Sequence, residues 1–200
     1  MKIHQWFPTD FFEFRNNSLD NADLISRLES IKCEVVRSTN LSFLKSVHES
    51  AEFVELFDWI DLCLEEIRIN LHYRCDKFQI VNSWFNKSVA GSGMHQNYHK
   101  HTMSFFSGIY YLTDGAPTVF EDPVYQRVNA QIEVLREHYV PWQTFSAEKG
   151  KLIIFPSWVY HQTLPHLEDL DRWIISFNVL PTGNINTGSH DASCFLSLGN

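Results

Sequence analysis

The spacing of apolar residues divides the chain into a helical first part and a strand-rich second part. Apolar side chains recur at three- and four-residue steps through residues 51–73, which predicts an amphipathic helix lying on a sheet. A second helix is predicted over residues 18–31, with Ser18 or Asn21 as its N-cap, and a shorter one over 41–48. A short strand is expected before these helices.

From residue 77 onward the pattern is typical of β-strands, because short runs are rich in β-branched and aromatic residues. Turn sequences such as AGSG and TDGAP separate these runs. The five predicted strands cover residues 78–85, 104–112, 118–120, 151–155 and 173–179.

A polar insertion, residues 124–148, separates the third predicted strand from the fourth, and its part 124–139 is predicted to be helical. Two roles stay open for it, a lid over a site or a plain surface excursion. The whole pattern predicts one domain of mostly β class with a helical flank (α+β), in which a sandwich or barrel is backed by helices. Its expected parts are a helical region 1–75, a β core 76–181 and a tail 182–200.

Composition and charge narrow the class of protein. With 200 residues, 44% hydrophobic and 14% aromatic, the chain suits one folded domain and not a disordered segment. The net charge of -8, with 16 scattered basic residues, argues against a nucleic-acid partner. No run approaches the ~20 apolar residues that cross a bilayer. Without a signal-peptide pattern or paired cysteines, we expect a cytoplasmic protein with reduced thiols and no membrane association.

The candidate chemistry begins with the sequence H-x-H at 99–101. In an extended segment the side chains of His99 and His101 point to the same side, because side chains alternate along a strand. Two imidazoles separated by one residue form a chelating pair for a transition metal. Further along, a glycine turn, an apolar strand and a proline lead to His161, which we expect at a strand end near that pair.

Arg172 opens the last predicted strand, in an otherwise buried-looking sequence. A guanidinium at such a position needs an anion, and two partners stay open. One is a surface salt bridge with Glu168, Asp169 or Asp171, and the other is the carboxylate of a ligand. Asn178 lies on the same strand face, so it is a candidate contact for a cofactor, or it satisfies backbone groups at the strand end.

Five ordered motifs carry a resemblance to a known family. The sequence HKHTMSFFSGIYYL at 99–112 resembles the core H-x-H-x-x-S-x-x-S-G-x-Y-Y-L of 2-oxoglutarate and Fe(II)-dependent oxygenases of bacteria and phages, which are related to the prolyl hydroxylases. The other four motifs match in order and approximate spacing, and the resemblance covers residues 76–181. They are NSWFN at 82–86, FEDP at 120–123, GKLIIFPSWVYH at 150–161 and RWIISFN at 172–178.

This resemblance implies a double-stranded β-helix packed against the N-terminal helices, with Fe(II) and 2-oxoglutarate in the mouth of the barrel. It maps His99 and His161 onto the family's two iron-binding histidines. It maps Arg172 onto the basic residue that pairs with the far carboxylate of 2-oxoglutarate, and Tyr111 onto the tyrosine that hydrogen-bonds the same carboxylate. The implied activity uses O2 to hydroxylate an unidentified substrate, either a small molecule or a protein side chain.

Position 101 departs from the usual family pattern H-x-D…H, so the third metal ligand has two candidate sources. His101 is expected to complete an all-histidine site, and the alternative is a carboxylate from Glu121 or Asp122 at the end of the next strand. Two other kinds of protein stay open. One is a cupin-like protein or three-histidine dioxygenase that does not use 2-oxoglutarate, and the other is a barrel with structural zinc. A homodimer through the aromatic-rich N-terminal helices is also compatible with the sequence.

Overall fold

The computed structural model describes residues 9–36, 39–42, 46–123 and 141–198, which contain two α-helices and eleven strands. The helices are α1 (Asn21–Glu29) and α2 (Val54–Asn70). The strands are β1 (Phe12–Arg15), β2 (Cys33–Val36), β3 (Thr39–Ser42), β4 (Lys77–Ser88), β5 (Phe106–Tyr111), β6 (Gly115–Glu121), β7 (Trp142–Ala147), β8 (Lys151–Pro156), β9 (His161–Thr163), β10 (Arg172–Ile185) and β11 (Cys194–Leu196).

Both of the longer predicted helices are present. Helix α1 begins after Asp20, whose carboxylate accepts hydrogen bonds from two N–H groups of the first turn, so the cap is neither Ser18 nor Asn21. Helix α2 lies within the predicted range 51–73 and follows a 3-10 turn, Ala51–Phe53. One face of α2 is buried against the sheet, through Leu56, Phe57, Ile60, Cys63, Leu64 and Ile67.

The predicted helix over residues 41–48 is wrong. Strand β3 pairs with β2 on one side and with the edge of β4 on the other, through Asn40 with Lys87 and Leu41 with Asn86. Beyond it, Val47–Glu49 forms a single 3-10 turn. The edge of β4 offers unpaired backbone groups, and satisfying them by strand pairing outweighs a weak local helical preference.

Most of the strands form one large antiparallel sheet, in the order β1-β8-β5-β10-β4-β3-β2, with β11 paired to the far end of β10. Its outer face packs on α1 and α2 and forms the larger apolar core, which includes Phe53, Leu64, Phe85 and Phe177. This arrangement confirms the predicted class, mostly β with a helical flank.

A smaller sheet, in the order β7-β6-β9, faces the inner side of the large one. Phe120 of the small sheet meets Phe155 of the large sheet with ring centroids 4.8 Å apart, inside a second apolar core. Strands β7 and β9 were not predicted, because β7 is largely exposed and β9 has only three residues. The predicted helix 124–139 lies outside the described residues.

Neither described helix is long and apolar enough to cross a lipid bilayer.

Candidate functional site

Three histidines converge between the two sheets. The nitrogen atoms that His99, His101 and His161 offer to a metal all lie within 4.8 Å of one another. The rings of His99 and His161 have centroids 4.3 Å apart. Among the residues that the structure describes, no other group of histidines, cysteines or carboxylates is arranged in this way, and neither Glu121 nor Asp122 joins this one. The three imidazoles therefore form the candidate metal centre.

Backbone hydrogen bonds position all three ligands. The N–H of His99 donates to the carbonyl oxygen of His161 at 2.9 Å, and the N–H of His161 donates to that of His99 at 2.8 Å. The N–H of His101 donates to the carbonyl oxygen of Ser157 at 3.0 Å. The H-x-H segment is thus tied at two points to the turn and strand that carry the third histidine.

Local carbonyl groups fix the protons of two of the rings. The Nδ1 atom of His99 lies 2.6 Å from the carbonyl oxygen of Asn97, and that of His161 lies 3.1 Å from the carbonyl oxygen of Val159. A ring in this position donates its Nδ1–H to the carbonyl, which leaves Nε2 as a lone-pair donor. In both rings Nε2 is therefore the nitrogen that would bind a metal ion.

Burial keeps the imidazoles of His101 and His161 neutral. Burial lowers the pKa of His101 to about 4, and the nearby His99 acts in the same direction. Burial also holds the pKa of His161 well below its ordinary value, with His99 and His101 adding to the effect. A metal ion binds the neutral form of imidazole, so the site is in its binding-competent protonation state at neutral pH.

A chain of hydroxyl groups supports the turn that binds His101. The Oγ of Ser157 donates to the Oγ of Ser104 at 2.8 Å, and the Oγ of Ser107 lies 3.1 Å from that of Ser157. Ser107 also lies 2.7 Å from Oδ1 of Asn178, to which it donates. The two serines of the H-x-H-x-x-S-x-x-S stretch therefore brace the metal-binding turn.

A cavity extends from the three histidines to Arg172, and its wall also includes Trp84, Asn86, Gln96, Thr163, Ile174 and Ser176. The Arg172 side chain is 2% exposed. Its Nε and Nη2 atoms have no hydrogen-bond partner within the described parts of the chain. Burial lowers the pKa of Arg172, although a guanidinium stays charged at neutral pH. A buried cation without an anion is costly, so this end of the cavity fits an anionic ligand.

Two of the three carboxylates considered as partners of Arg172 are engaged elsewhere. Asp171 lies 2.9 Å from Nζ of Lys87 and accepts a hydrogen bond from the N–H of Ala90 at 2.9 Å. Glu168 lies 2.7 Å from the ring of His166. Within the described residues, none of the ion pairs includes Arg172.

Tyr111 and Asn178 lie beside the cavity and not in its wall. The Tyr111 hydroxyl is fully buried, and it donates to Oγ1 of Thr118 at 2.8 Å. Burial raises the pKa of Tyr111, so it stays a neutral donor. The predicted contacts of Tyr111 and Asn178 with a co-substrate therefore stay predictions. Sequence reasoning missed Asn86 as a cavity residue, although its place in the NSWFN motif was a signal.

Comparison with known proteins agrees with this geometry. Residues 82–178 match the model of a protein family described as "Putative 2OG-Fe(II) oxygenase", where 2OG is 2-oxoglutarate. None of the curated proteins matches the sequence.

Solved structures with a similar fold include HygX from Streptomyces hygroscopicus with nickel, 2-oxoglutarate and hygromycin B bound, at 15% identity and a TM-score of 0.59 over 87% of this chain and 84% of that one. A Pseudomonas putida prolyl-4-hydroxylase has 13% identity and a TM-score of 0.59 over 88% and 94%. The α-ketoglutarate-dependent epimerase SnoN from nogalamycin biosynthesis has 8% identity and a TM-score of 0.65 over 92% and 83%. At such identities the likeness concerns the fold, and it confirms the predicted double-stranded β-helix.

Proposed function

We propose, from the match of residues 82–178 to the 2OG-Fe(II) oxygenase family, that the cavity holds Fe(II) on His99, His101 and His161 with 2-oxoglutarate reaching Arg172. When bound, these two groups supply a reaction with O2 that decarboxylates 2-oxoglutarate to succinate and hydroxylates a substrate carbon. The observation that carries the proposal is the unpaired Arg172 guanidinium in the same cavity as three imidazoles.

The residues present fit the metal. Three imidazole nitrogens suit a first-row transition metal such as Fe(II). Three protein ligands leave coordination positions open, whereas a closed structural zinc site has four. This supports a catalytic metal over a purely structural one.

The residues also fit the co-substrate. Arg172 presents a planar fork of N–H donors, which matches a carboxylate in two parallel hydrogen bonds. Tyr111 is proposed as a further donor to that carboxylate, after its hydroxyl turns away from Thr118, and Asn178 as a more distant contact. Ile174 and Ile109, both in the cavity wall, exclude water between the two ends and so strengthen the attraction between opposite charges.

A cupin-like protein or three-histidine dioxygenase that does not use 2-oxoglutarate is the second candidate. The all-histidine ligand set favours it, because most 2-oxoglutarate oxygenases use one carboxylate ligand. It gives no reason for a buried, unpaired arginine in the cavity, so we place it second.

The deciding experiment is an anaerobic Fe(II) titration with and without 2-oxoglutarate, followed by the visible charge-transfer band of the iron chelate. We expect a band that needs both components and that disappears in His99→Ala and Arg172→Ala. Arg27→Ala, on the exposed surface of α1, is the matched control and should keep the band. Tight metal binding without a band at any 2-oxoglutarate concentration would move the assignment to the cupin-like alternative.

The substrate is proposed only as a class, a small molecule or a protein side chain. A cytoplasmic setting is proposed because Cys63, Cys75 and Cys194 are free thiols. A homodimer is also proposed, supported by exposed apolar residues on α2, Leu62 and Ile69, and sedimentation of the purified protein tests it.

A further inference from the structure

His166 is a buried histidine that the proposed reaction does not use. It lies in the loop between β9 and β10, and its side chain is fully buried. Its N–H donates to the carbonyl oxygen of Met94 at 3.0 Å, and its own carbonyl accepts from the N–H of Gly93 at 2.9 Å. His166 therefore joins the loop before Arg172 to the loop that leads into the H-x-H segment.

One hydrogen bond and burial fix the ring of His166. Its Nε2 lies 2.7 Å from the carbonyl oxygen of Leu170, to which it donates. Its Nδ1 lies 2.7 Å from a carboxylate oxygen of Glu168 but has no hydrogen-bond partner in the described structure. Because the ring is fully buried and bonded at Nε2, it has a fixed orientation.

The same ring lies beside Arg172, against Gly115. A Cβ atom added to Gly115 would come within 3.1 Å of Cε1 of His166 and within 3.1 Å of both Cβ and Cδ of Arg172. The imidazole and the aliphatic part of the arginine therefore both pack on Gly115. Because Nε and Nη2 of Arg172 have no hydrogen-bond partner in the described structure, packing must set the direction of the guanidinium.

We propose that His166 is a positioning residue for Arg172. Its ring, held by the Leu170 carbonyl and by burial, keeps the arginine stem in place against Gly115, so that the guanidinium meets the far carboxylate of 2-oxoglutarate. This inference rests on the proposed function, since it takes 2-oxoglutarate as the ligand of Arg172.

The position of His166 predicts which affinity it controls. The metal ligands are held by other contacts, namely the backbone pair of His99 with His161 and the bond from His101 to Ser157. Loss of the His166 ring should therefore weaken 2-oxoglutarate binding and leave Fe(II) binding nearly unchanged. A merely structural role would weaken both together.

The test compares His166→Leu, which removes both ring contacts, with His166→Gln, which can still donate to the Leu170 carbonyl. We expect the dissociation constant of 2-oxoglutarate, measured by the charge-transfer band, to rise about tenfold in the first variant and less in the second. Fe(II) affinity without 2-oxoglutarate should stay within about twofold of the wild type. The exposed neighbour Leu167→Ala is the matched control.

Two results would overturn the inference. One is a folded His166→Leu variant with unchanged 2-oxoglutarate affinity, and the other is an equal loss of Fe(II) and 2-oxoglutarate affinity. If His166→Leu does not fold, His166→Gln decides by the same two titrations, because it removes the ring and keeps a donor for the Leu170 carbonyl. A wild-type protein that shows no band at all would instead defeat the proposed function, so the two failures are distinguishable.

Discussion

At the metal end of the cavity, the Nδ1 atoms of His99 and His161 rest against protein carbonyl groups, whereas at the other end Nε and Nη2 of Arg172 have no hydrogen-bond partner in the described structure. The metal end is thus satisfied by the protein before any ligand arrives, apart from the lone pairs that face the metal. The arginine end carries an unmet desolvation cost that an anion relieves. Hydrogen bonds preorganise the histidine end. The arginine end is selective for an anion because its guanidinium lacks a partner in the described structure.

The largest expected effect comes from removing one of the metal-binding histidines. His161→Ala removes one of three ligands, and because loss of an outer-sphere partner alone costs 10- to 100-fold, metal affinity should fall by about 100-fold or more. The backbone bonds between residues 99 and 161 do not need the side chain, so the metal-free protein should keep its fold. Metal titration and thermal unfolding check both points. The exposed His190→Ala is the control, and equal losses in the two variants would contradict the assignment.

A substitution at the arginine end should weaken ligand binding but raise the stability of the ligand-free protein. Arg172→Leu replaces a buried, unpaired charge by an apolar group, which should raise the unfolding free energy of the ligand-free protein by roughly 1–4 kcal/mol. In the metal-loaded wild type, 2-oxoglutarate at a hundred times its own dissociation constant should add about 2.7 kcal/mol to the unfolding free energy. The variant should lose this increment. Denaturant unfolding with and without ligands measures both. A less stable ligand-free variant would mean that Arg172 has a protein partner.

A smaller effect concerns pH. The pKa of His101 is about 4 in the folded, metal-free protein and 6.5 for an ordinary histidine. Between these values the unfolded chain binds a proton that the folded chain does not, so stability is fully present above pH 6.5 and falls as the pH drops toward 4. The lowered pKa of His161 acts in the same direction. Urea unfolding of the metal-free protein at pH 7, 6 and 5 should show this loss, and His101→Phe should reduce its slope.

The smallest expected effect concerns a pair of stacked tyrosines next to the metal-binding histidines. Tyr98 and Tyr160, the chain neighbours of His99 and His161, are partly exposed and stack with centroids 4.7 Å apart and planes 12° apart. Such a pair contributes about 0.5–1.5 kcal/mol, so Tyr160→Ser should weaken metal binding a few-fold by loosening the bridge beneath it. Metal titration measures this, with the exposed Trp158→Ala as control. Unchanged metal affinity would show that the backbone bonds between His99 and His161 do not depend on the tyrosine stack.

The parts of the site that could be predicted from sequence depend on local periodicity. The expectation that an extended segment brings His99 and His101 to one side agrees with their place in one histidine group, although neither lies in one of the eleven strands. The position of Arg172 at the start of an apolar strand raised the question of its anion and left a surface carboxylate and a ligand open. His161 follows the predicted apolar strand and its proline as expected, but it begins β9 of the small sheet, a strand that was not predicted. Each of these inferences needs only neighbouring residues.

The parts that could not be predicted depend on contacts between distant segments. His166 had no local pattern, because its contacts are with Gly115 and with the backbone of Gly93 and Met94, which lie far from it in the sequence. Strand β3 was missed for the same reason, since its partner is the edge of β4. Strand β7 has so many exposed polar residues that its sequence gives no alternation to read.

The reciprocal bonds between His99 and His161 also have a dynamic consequence. Each amide proton is held by the other residue's carbonyl, so neither can exchange with solvent until the whole bridge opens. The two amides should therefore show equal protection in hydrogen–deuterium exchange, although 62 positions separate them in the sequence. Their common opening free energy sets how often the ligand set comes apart in the absence of metal, and so how well the empty protein retains the shape of its centre.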